Sequence, residues 1–222
     1  MALNKTILYY TSNQENQKFE KWMMGIISEN SGGLPIVSVS QKPIDFGKNI
    51  CVGDVGCSSF NMWRQILIGL KEIKTEYVIF TEADCLYPPE YFDFDPPDGN
   101  FYRYNNVWIV FYRGRAVAYK KHWSNAAQIG KRDYLLQALE EYFEGQPQWA
   151  DKWYATNKDG TRREDYNGVP FEYFKGEVPC ISFKTGKGLT TKTVFKSGVK
   201  NCLEDLPYWG NVEEMRKKYI YE

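Results

Sequence analysis

The chain predicts a mixed α/β fold: a mostly parallel central sheet flanked by helices, with a smaller antiparallel part. Three observations carry this expectation. Short β-rich runs alternate with amphipathic helical stretches through the first third of the sequence. The run Tyr77, Val78, Ile79, Phe80 is continuously apolar, as a strand buried on both faces of a parallel sheet is. After Pro88 and Pro89 the pattern changes to paired aromatic and β-branched runs around Arg113 and Gly114, which is how an antiparallel hairpin reads.

The elements follow in order. Residues 6–10 form a short strand ending in Thr11, Ser12 and Asn13, a polar cluster suited to a turn or a helix cap. Over residues 17–28, Phe19, Trp22, Met23, Ile26 and Ile27 fall at helical spacing until Ser31, Gly32 and Gly33 end the pattern. Residues 35–40 alternate as a strand, and 49–53 form another. Ser58 or Ser59 caps a helix that carries Met62, Ile66, Leu67 and Leu70 on one face. Residues 101–112 and 115–119 make the antiparallel pair, 124–143 a helix with Leu135 and Leu139 in phase, 145–168 a long loop, 178–183 a last strand, and 212–219 a short helix.

With 222 residues, one hydrophobic core is expected, so residues 1–222 read as a single domain. Lys+Arg and Asp+Glu are both 28, and the zero net charge argues against coating of nucleic acid by bulk electrostatics. Aromatic residues at 17% argue against disorder. No apolar run approaches the roughly 20 residues of a membrane span. The N-terminal apolar stretch is too short for a signal peptide, which leads to a cytoplasmic expectation. Five cysteines without C-x₂-C spacing suggest reduced thiols rather than a zinc site, and the single histidine, His122, excludes a His-rich metal cage.

The neutral sum conceals opposed regions. Residues 75–98 hold seven carboxylates and no Lys or Arg, whereas 184–200 hold five lysines and no acid. Ligands of open α/β sheets bind beyond the carboxyl ends of the strands, and there Glu82 and Asp84 flank Ala83 directly after the most hydrophobic strand. In an extended chain both carboxylates project to one side, a pattern that suits Mg²⁺ or Mn²⁺ shared with substrate phosphates; equally, acidic strand ends are often merely solvated. Thr11, Ser12 and Asn13, with Gln41 at the second strand end, offer hydrogen bonds for a base or ribose. Arg64 faces phosphate or solvent, and Lys120, Lys121 and His122 read as an exposed basic patch.

The run YVIFTEADCLYPPEYF at 77–92 resembles the strand and acidic D-x-D-like triplet of GT-A nucleotide-diphospho-sugar glycosyltransferases, close to the family 2 type. The segment PCISFKTGKGLT at 179–190 is similar to a late strand and loop of small phage and bacterial relatives, with Thr185 where they usually carry a histidine before the glycine. YTSN at 10–13, VSVSQKP at 37–43 and NICVG at 49–53 look like the same group, while residues 145–168 match nothing in it.

The resemblance implies a Rossmann-like GT-A domain. Residues 1–98 would be its nucleotide-sugar-binding half, and 99–222 its acceptor half with a C-terminal loop and helix. It implies a donor held by Thr11, Ser12, Asn13, Gln41 and Glu82, with Mn²⁺ or Mg²⁺ on Asp84 and Glu82. Lys184 or Lys187 would contact the diphosphate, partly replacing the missing histidine. An inverting transfer needs a carboxylate base. Glu164 and Asp165 resemble the late Glu-Asp pair of family 2, which makes Asp165 the candidate, with Asp133 and Glu172 as rivals.

The aromatic loop with Trp149, Trp153, Tyr154 and Tyr166 is suited to stacking on a sugar or base. Basic residues interleaved with aromatics from Arg103 to Arg132 leave room for a polyanionic acceptor, such as DNA carrying a hydroxymethylated base, beside a glycan. Two other functions fit the same residues: a non-catalytic nucleotide-sugar-binding module, and a metal-dependent nucleotidyltransferase, although the early Gly-rich, Arg-containing signature of the latter is absent.

Overall fold

The computed structural model describes residues 4–97, 99–121, 124–163, 170–187, 189 and 201–221. Its centre is β1 (Lys5–Thr11), buried along its whole length. On one side lie β2 (Ile36–Ser40) and then β3 (Lys48–Cys51), and on the other β4 (Tyr77–Glu82), all four strands parallel. Because the chain leaves β1 toward β2 and β3 and returns to its other side with β4, the carboxyl ends of β1 and β4 form the topological switch point of the sheet.

Helix α1 (Gln17–Asn30) connects β1 to β2, and α2 (Ser59–Glu72) connects β3 to β4. Ser58 caps α2 by accepting from Asn61 N, as the sequence predicts. Helix α1 differs: its cap is Asn16, which accepts from Lys18 N and Phe19 N, rather than Ser12 or Asn13. The apolar face of α2 (Phe60, Trp63, Ile66, Leu67, Leu70) packs with Leu8, Val39, Val78 and Phe80 into one core cluster. Burial of each such side chain contributes about 1.5–3 kcal/mol.

At Ala83 and Asp84 the chain turns out of the large sheet and enters β5 (Cys85–Leu86), an edge of a second sheet. Helix α3 (Pro89–Asp93) follows, then β6 (Phe101–Tyr104), β7 (Val107–Phe111), β8 (Ala118–Lys121), β9 (Gln128–Lys131), α4 (Arg132–Phe143), β10 (Glu172–Phe174) and β11 (Cys180–Lys184). The large sheet runs β10-β6-β9-β4-β1-β2-β3, and the second runs from β12 (Cys202–Leu203) through β8, β7 and β11 to β5. The hairpin of β13 (Asp205–Leu206) and β14 (Gly210–Asn211), helix α5 (Val212–Arg216) and a π-helical turn (Lys217–Tyr221) close the chain. The outcome is the expected α/β class with a mostly parallel core and an antiparallel part. Among the described residues no helix is long and apolar enough to cross a membrane, and all five cysteines are free.

Three expectations needed correction. The run 101–112 is two strands in different sheets, split at Asn105 and Asn106, with Asn106 fastened by its side chain to Gly176 O and Glu177 O. The helix expected from residue 124 begins at Arg132, because residues 128–131 insert as β9 between β4 and β6. Gly130 permits that insertion, since a Cβ there would lie 2.7 Å from Leu135 Cδ1 and 2.9 Å from Phe101 Cδ2. The short strand β10 went unanticipated; it adds to the sheet edge beside β6.

Candidate active site

The carboxyl ends of β1 and β4, the loop before α2, and the ends of β8 and β11 surround a cleft of about 330 Å³. Its position follows from the chain path: β4 delivers Glu82, and the turn that transfers the chain to β5 delivers Asp84. The two are therefore not in the extended arrangement expected from the sequence. Even so, a carboxylate oxygen of each and the Cys85 sulfur lie within 4.8 Å of one another. Tyr10, opposite Glu82 in the β1–β4 register, donates its hydroxyl to Glu82 Oε1 at 2.9 Å. Tyr87 accepts from Glu82 N and donates to Ala126 O, so it binds the acidic turn to the wall formed by Ser124, Asn125 and Ala126.

Burial and the neighbouring Asp84 charge raise Glu82 to about 7. Lys184 reaches the turn from β11, with Nζ 3.8 Å from Asp84 Oδ2 and both side chains largely buried at 11% and 18% exposure. Burial lowers Lys184, but Asp84, Cys85 and Glu82 outweigh it and hold the ammonium above the ordinary lysine range. Burial, with Asp84 and Glu82, pushes the Cys85 thiol well up, and it donates to Asp84 Oδ1 at 3.3 Å. The two carboxylates beside an open cleft are oxygen donors, which fit a hard divalent cation such as Mg²⁺ or Mn²⁺.

The remaining expected residues are distributed unevenly. Thr11, Ser12 and Gln41 line the cleft. The Thr11 hydroxyl donates to Glu20 Oε1 at 2.6 Å and accepts from Asn13 N. Asn13, in the left-handed region at φ 53°, accepts from Gln41 N and Lys42 N and donates to Glu20, so its side chain joins the ends of β1 and β2 behind the cleft. Gln41 binds Gly56 O and Val55 N with its two amide atoms and shapes the loop before α2. Lys187 borders an adjoining cavity of about 300 Å³ with Cys57, Asp151, Lys152 and Trp153.

Thr185 donates to Glu15 Oε1 at 2.6 Å, which fastens the late loop to the loop after β1. Asp165, with its neighbour Glu164, and His122 lie outside the described residues. Asp133 pairs with Arg132 at the start of α4, and Glu172 is exposed on edge strand β10; neither lines the cleft. Arg64 takes neither of its expected roles: its guanidinium donates to Pro147 O and Gln148 O and lies 3.8 Å from the Phe143 ring centroid.

The sequence reading missed Glu15 and Lys121. Glu15 lines the cleft and is raised by burial. Lys121, expected on an exposed patch, projects from the end of β8 into the cleft wall and reaches Ser124 Oγ at 3.3 Å. Burial first and Lys184 second hold it below the ordinary lysine range. The one available signal was its place at the end of a strand, where α/β sheets gather ligands. Trp153, 58% exposed, lines the mouth of the cleft. Its loop is held to α2 by Ser58 donating to Ala150 O and Phe60 N donating to Lys152 O.

No protein family's sequence profile matches the chain, and no curated protein sequence matches it. Solved structures do. The chain is similar to the inositol-1-phosphate CTP transferase from T. maritima, at 10% identity over 82% of this chain and 89% of that one, with a TM-score of 0.50. It is also similar to the mannosyltransferase PcManGT from Pyrobaculum calidifontis, solved with GDP-Man and Mn²⁺, at 14% identity over 88% and 58% of the chains and a TM-score of 0.44. A further likeness is to the bifunctional IspDF from Campylobacter jejuni, at 13% identity over 82% and 53% of the chains and a TM-score of 0.46. The chain spans about half the length of that bifunctional protein. At such identities the likeness is one of fold alone, a Rossmann-like α/β sheet.

Proposed function

We propose that the chain is a metal-dependent glycosyltransferase, similar to family 2 GT-A enzymes of small phage and bacterial type, that transfers a sugar from a nucleoside-diphosphate sugar, foremost a UDP-sugar, to an acceptor hydroxyl. The observation that carries this reading is the Glu82 and Asp84 pair, with Lys184 on Asp84, at the switch point of the sheet and inside the cleft. In this reading residues 1–222 form one catalytic domain whose first half, 1–98, supplies most donor contacts. The acceptor is a hydroxymethylated base of phage DNA or a glycan, and the enzyme works in the cytoplasm, the host's if the chain is phage-encoded.

Transfer breaks the anomeric C–O bond, leaves its electron pair on the departing diphosphate oxygen, and forms a new C–O bond to the acceptor. Glu82 and Asp84 would hold Mn²⁺ or Mg²⁺, which when bound supplies Lewis-acid neutralisation of the diphosphate. Lys184 adds a fixed positive charge beside the same phosphates. Thr11, Ser12 and Gln41 border the nucleoside end, with Asn13 behind them and Lys187 at the rim. Asp165 is the proposed base that takes the acceptor proton.

A second reading, a nucleotidyltransferase, draws support from the fold likeness to the T. maritima CTP transferase. The products differ: glycosyl transfer releases a nucleoside diphosphate, nucleotidyl transfer releases pyrophosphate. The test incubates the protein and Mn²⁺ with a panel of nucleotide-sugars, modified DNA and simple sugars, read by mass spectrometry. An acceptor that gains a hexose or pentose mass supports the proposal. Pyrophosphate release from a nucleoside triphosphate supports the second reading, and nucleotide binding without turnover leaves only a binding module.

A further inference from the structure

Two ammonium groups share the wall of the acidic cleft, and of the two only Lys184 stands within ion-pair distance of a carboxylate among the described residues. Lys184 stands on Asp84. Lys121 is largely buried, its hydrogen bond goes to the neutral Ser124 hydroxyl at 3.3 Å, and no carboxylate among the described residues lies within ion-pair distance of it. Loss of water, and after it the nearby Lys184, outweigh the attraction of Glu82 and Asp84 and disfavour an ammonium here. A fold that holds Lys121 there stores an electrostatic cost that an incoming anion relieves.

We propose that Lys121 is a second anion contact of the cleft, which grips the diphosphate of the bound nucleotide together with Lys184. This rests on the nucleotide-sugar reading for the identity of the ligand, but not for the anion chemistry. The charge pattern supports it. Glu82 and Asp84 cancel Lys121 and Lys184, so a divalent cation on the two carboxylates leaves the group with two positive charges. The diphosphate link of a nucleotide-sugar carries two negative ones. Glu15, the other acid in the cleft wall, is tied to Thr185 and lies in the field of Lys187, apart from this balance. Without Lys121 the group is one charge short of its ligand.

Lys121 stands opposite Val107 and Lys184 opposite Phe111, the two ends of β7, and the two side chains converge on the cleft from there. Strand β8 pairs antiparallel with β7, and β7 pairs parallel with β11. Lys121 and Lys184 therefore end two strands of the same sheet, separated by β7, yet both line the cleft. The neighbouring Lys120 takes a different course, to Asn106 Oδ1 at 2.7 Å, and serves as a control.

The test measures binding of inorganic pyrophosphate, UDP and uridine by calorimetry with Mn²⁺ present, for the wild type, Lys121→Met, Lys121→Gln, Lys121→Arg and Lys120→Met. The expected result is that Lys121→Met and Lys121→Gln weaken pyrophosphate and UDP by tenfold or more and leave uridine unchanged. Lys121→Arg and Lys120→Met should stay within about threefold of wild type. Melting curves identify any variant that fails to fold, and the two neutral replacements provide independent chances of a folded one. Equal pyrophosphate binding by wild type and the neutral variants overturns the proposal, as does a wild type that binds no pyrophosphate. Pyrophosphate binding that depends on Lys121, with no affinity for any nucleoside diphosphate, upholds the anion contact and overturns the nucleotide-sugar reading instead.

Discussion

Lys184 Nζ lies 3.8 Å from Asp84 Oδ2, although the two residues are a hundred positions apart in the chain. The antiparallel register of β5 and β11 sets this meeting: Ser182 stands opposite Cys85, and Phe183 N donates to Asp84 O at 2.8 Å. One step further along β11, Lys184 is level with the acidic turn. Both side chains line the cleft, so the pair sets the local charge there.

On the proposed glycosyltransferase function, Asp84→Asn is expected to lower transfer activity by about a hundredfold or more, because it would remove both a proposed metal ligand and the partner of Lys184. Circular dichroism should show an unchanged fold, since Asp84 lies at the cleft surface and not in the core. Activity near wild type in a folded Asp84→Asn protein would remove this residue from the mechanism.

Stability should fall as pH rises from about 4.5 to about 7 in the absence of metal. Glu82 is raised to about 7 in the folded protein by burial and by Asp84. Folded chains therefore bind more protons than unfolded ones across that window, and the contribution present at low pH is lost on the way up. The loss should appear as a decrease in Tm of roughly 5 °C. Glu15 and Glu20, also raised by burial, add to the same slope, so Glu82→Gln should reduce it and not abolish it, and an unchanged slope removes Glu82 from the effect. Mn²⁺ should offset the loss at pH 7, because it binds the ionised pair.

Gly69→Ala tests the packing of α2 on the sheet. In an exposed helix this change stabilises by up to about 1 kcal/mol. Here a Cβ would lie 2.3 Å from Leu8 Cδ1, whose side chain is fully buried. Overpacking is expected to prevail and to destabilise by about 1–3 kcal/mol in urea unfolding. A stabilised variant would show that Leu8 can move aside.

Trp153→Ala should leave Tm nearly unchanged, since the side chain is 58% exposed. It should weaken nucleotide or sugar binding by about 1–3 kcal/mol if the ring stacks on the ligand at the cleft mouth. Unaltered affinity, measured by calorimetry, would leave Trp153 as surface only.

Thr11→Val removes the hydroxyl that donates to the buried Glu20 at 2.6 Å. Burial already raises Glu20, with the hydrogen bonds from Thr11 and Asn13 opposing it. The variant should lose about 1–3 kcal/mol at neutral pH and less at pH 4, where Glu20 can protonate. Equal losses at both values would locate the effect in packing.

Much of this architecture is legible from local sequence. The unbroken apolar run of β4 and the spaced apolar residues of α2 declare themselves because burial, the dominant energy, acts on each of them directly. The acidic pair is legible for a related reason: carboxylates after such a strand have little structural purpose. What escapes are features fixed by distant partners. Strand β9 reads as the start of α4, and only its fit between β4 and β6, through the missing side chain of Gly130, makes it a strand. Lys121 reads as one of several surface lysines, and only the end of β8 carries it into the cleft. Thr185 reads only as the residue that replaces a histidine, whereas its hydroxyl is spent on Glu15.

The order in which the chain is made adds a consequence. Strands β1 to β4 and the two carboxylates that follow them, Glu82 and Asp84, are encoded in the first 84 residues, and Lys184 comes only at the end of β11, which lies between β7 and β5. During synthesis the acidic turn therefore emerges long before Lys184, and a nascent chain that ends short of β11 carries Asp84 without this ion-pair partner. The charge pair at the cleft is complete only once β11 has joined β7 and β5.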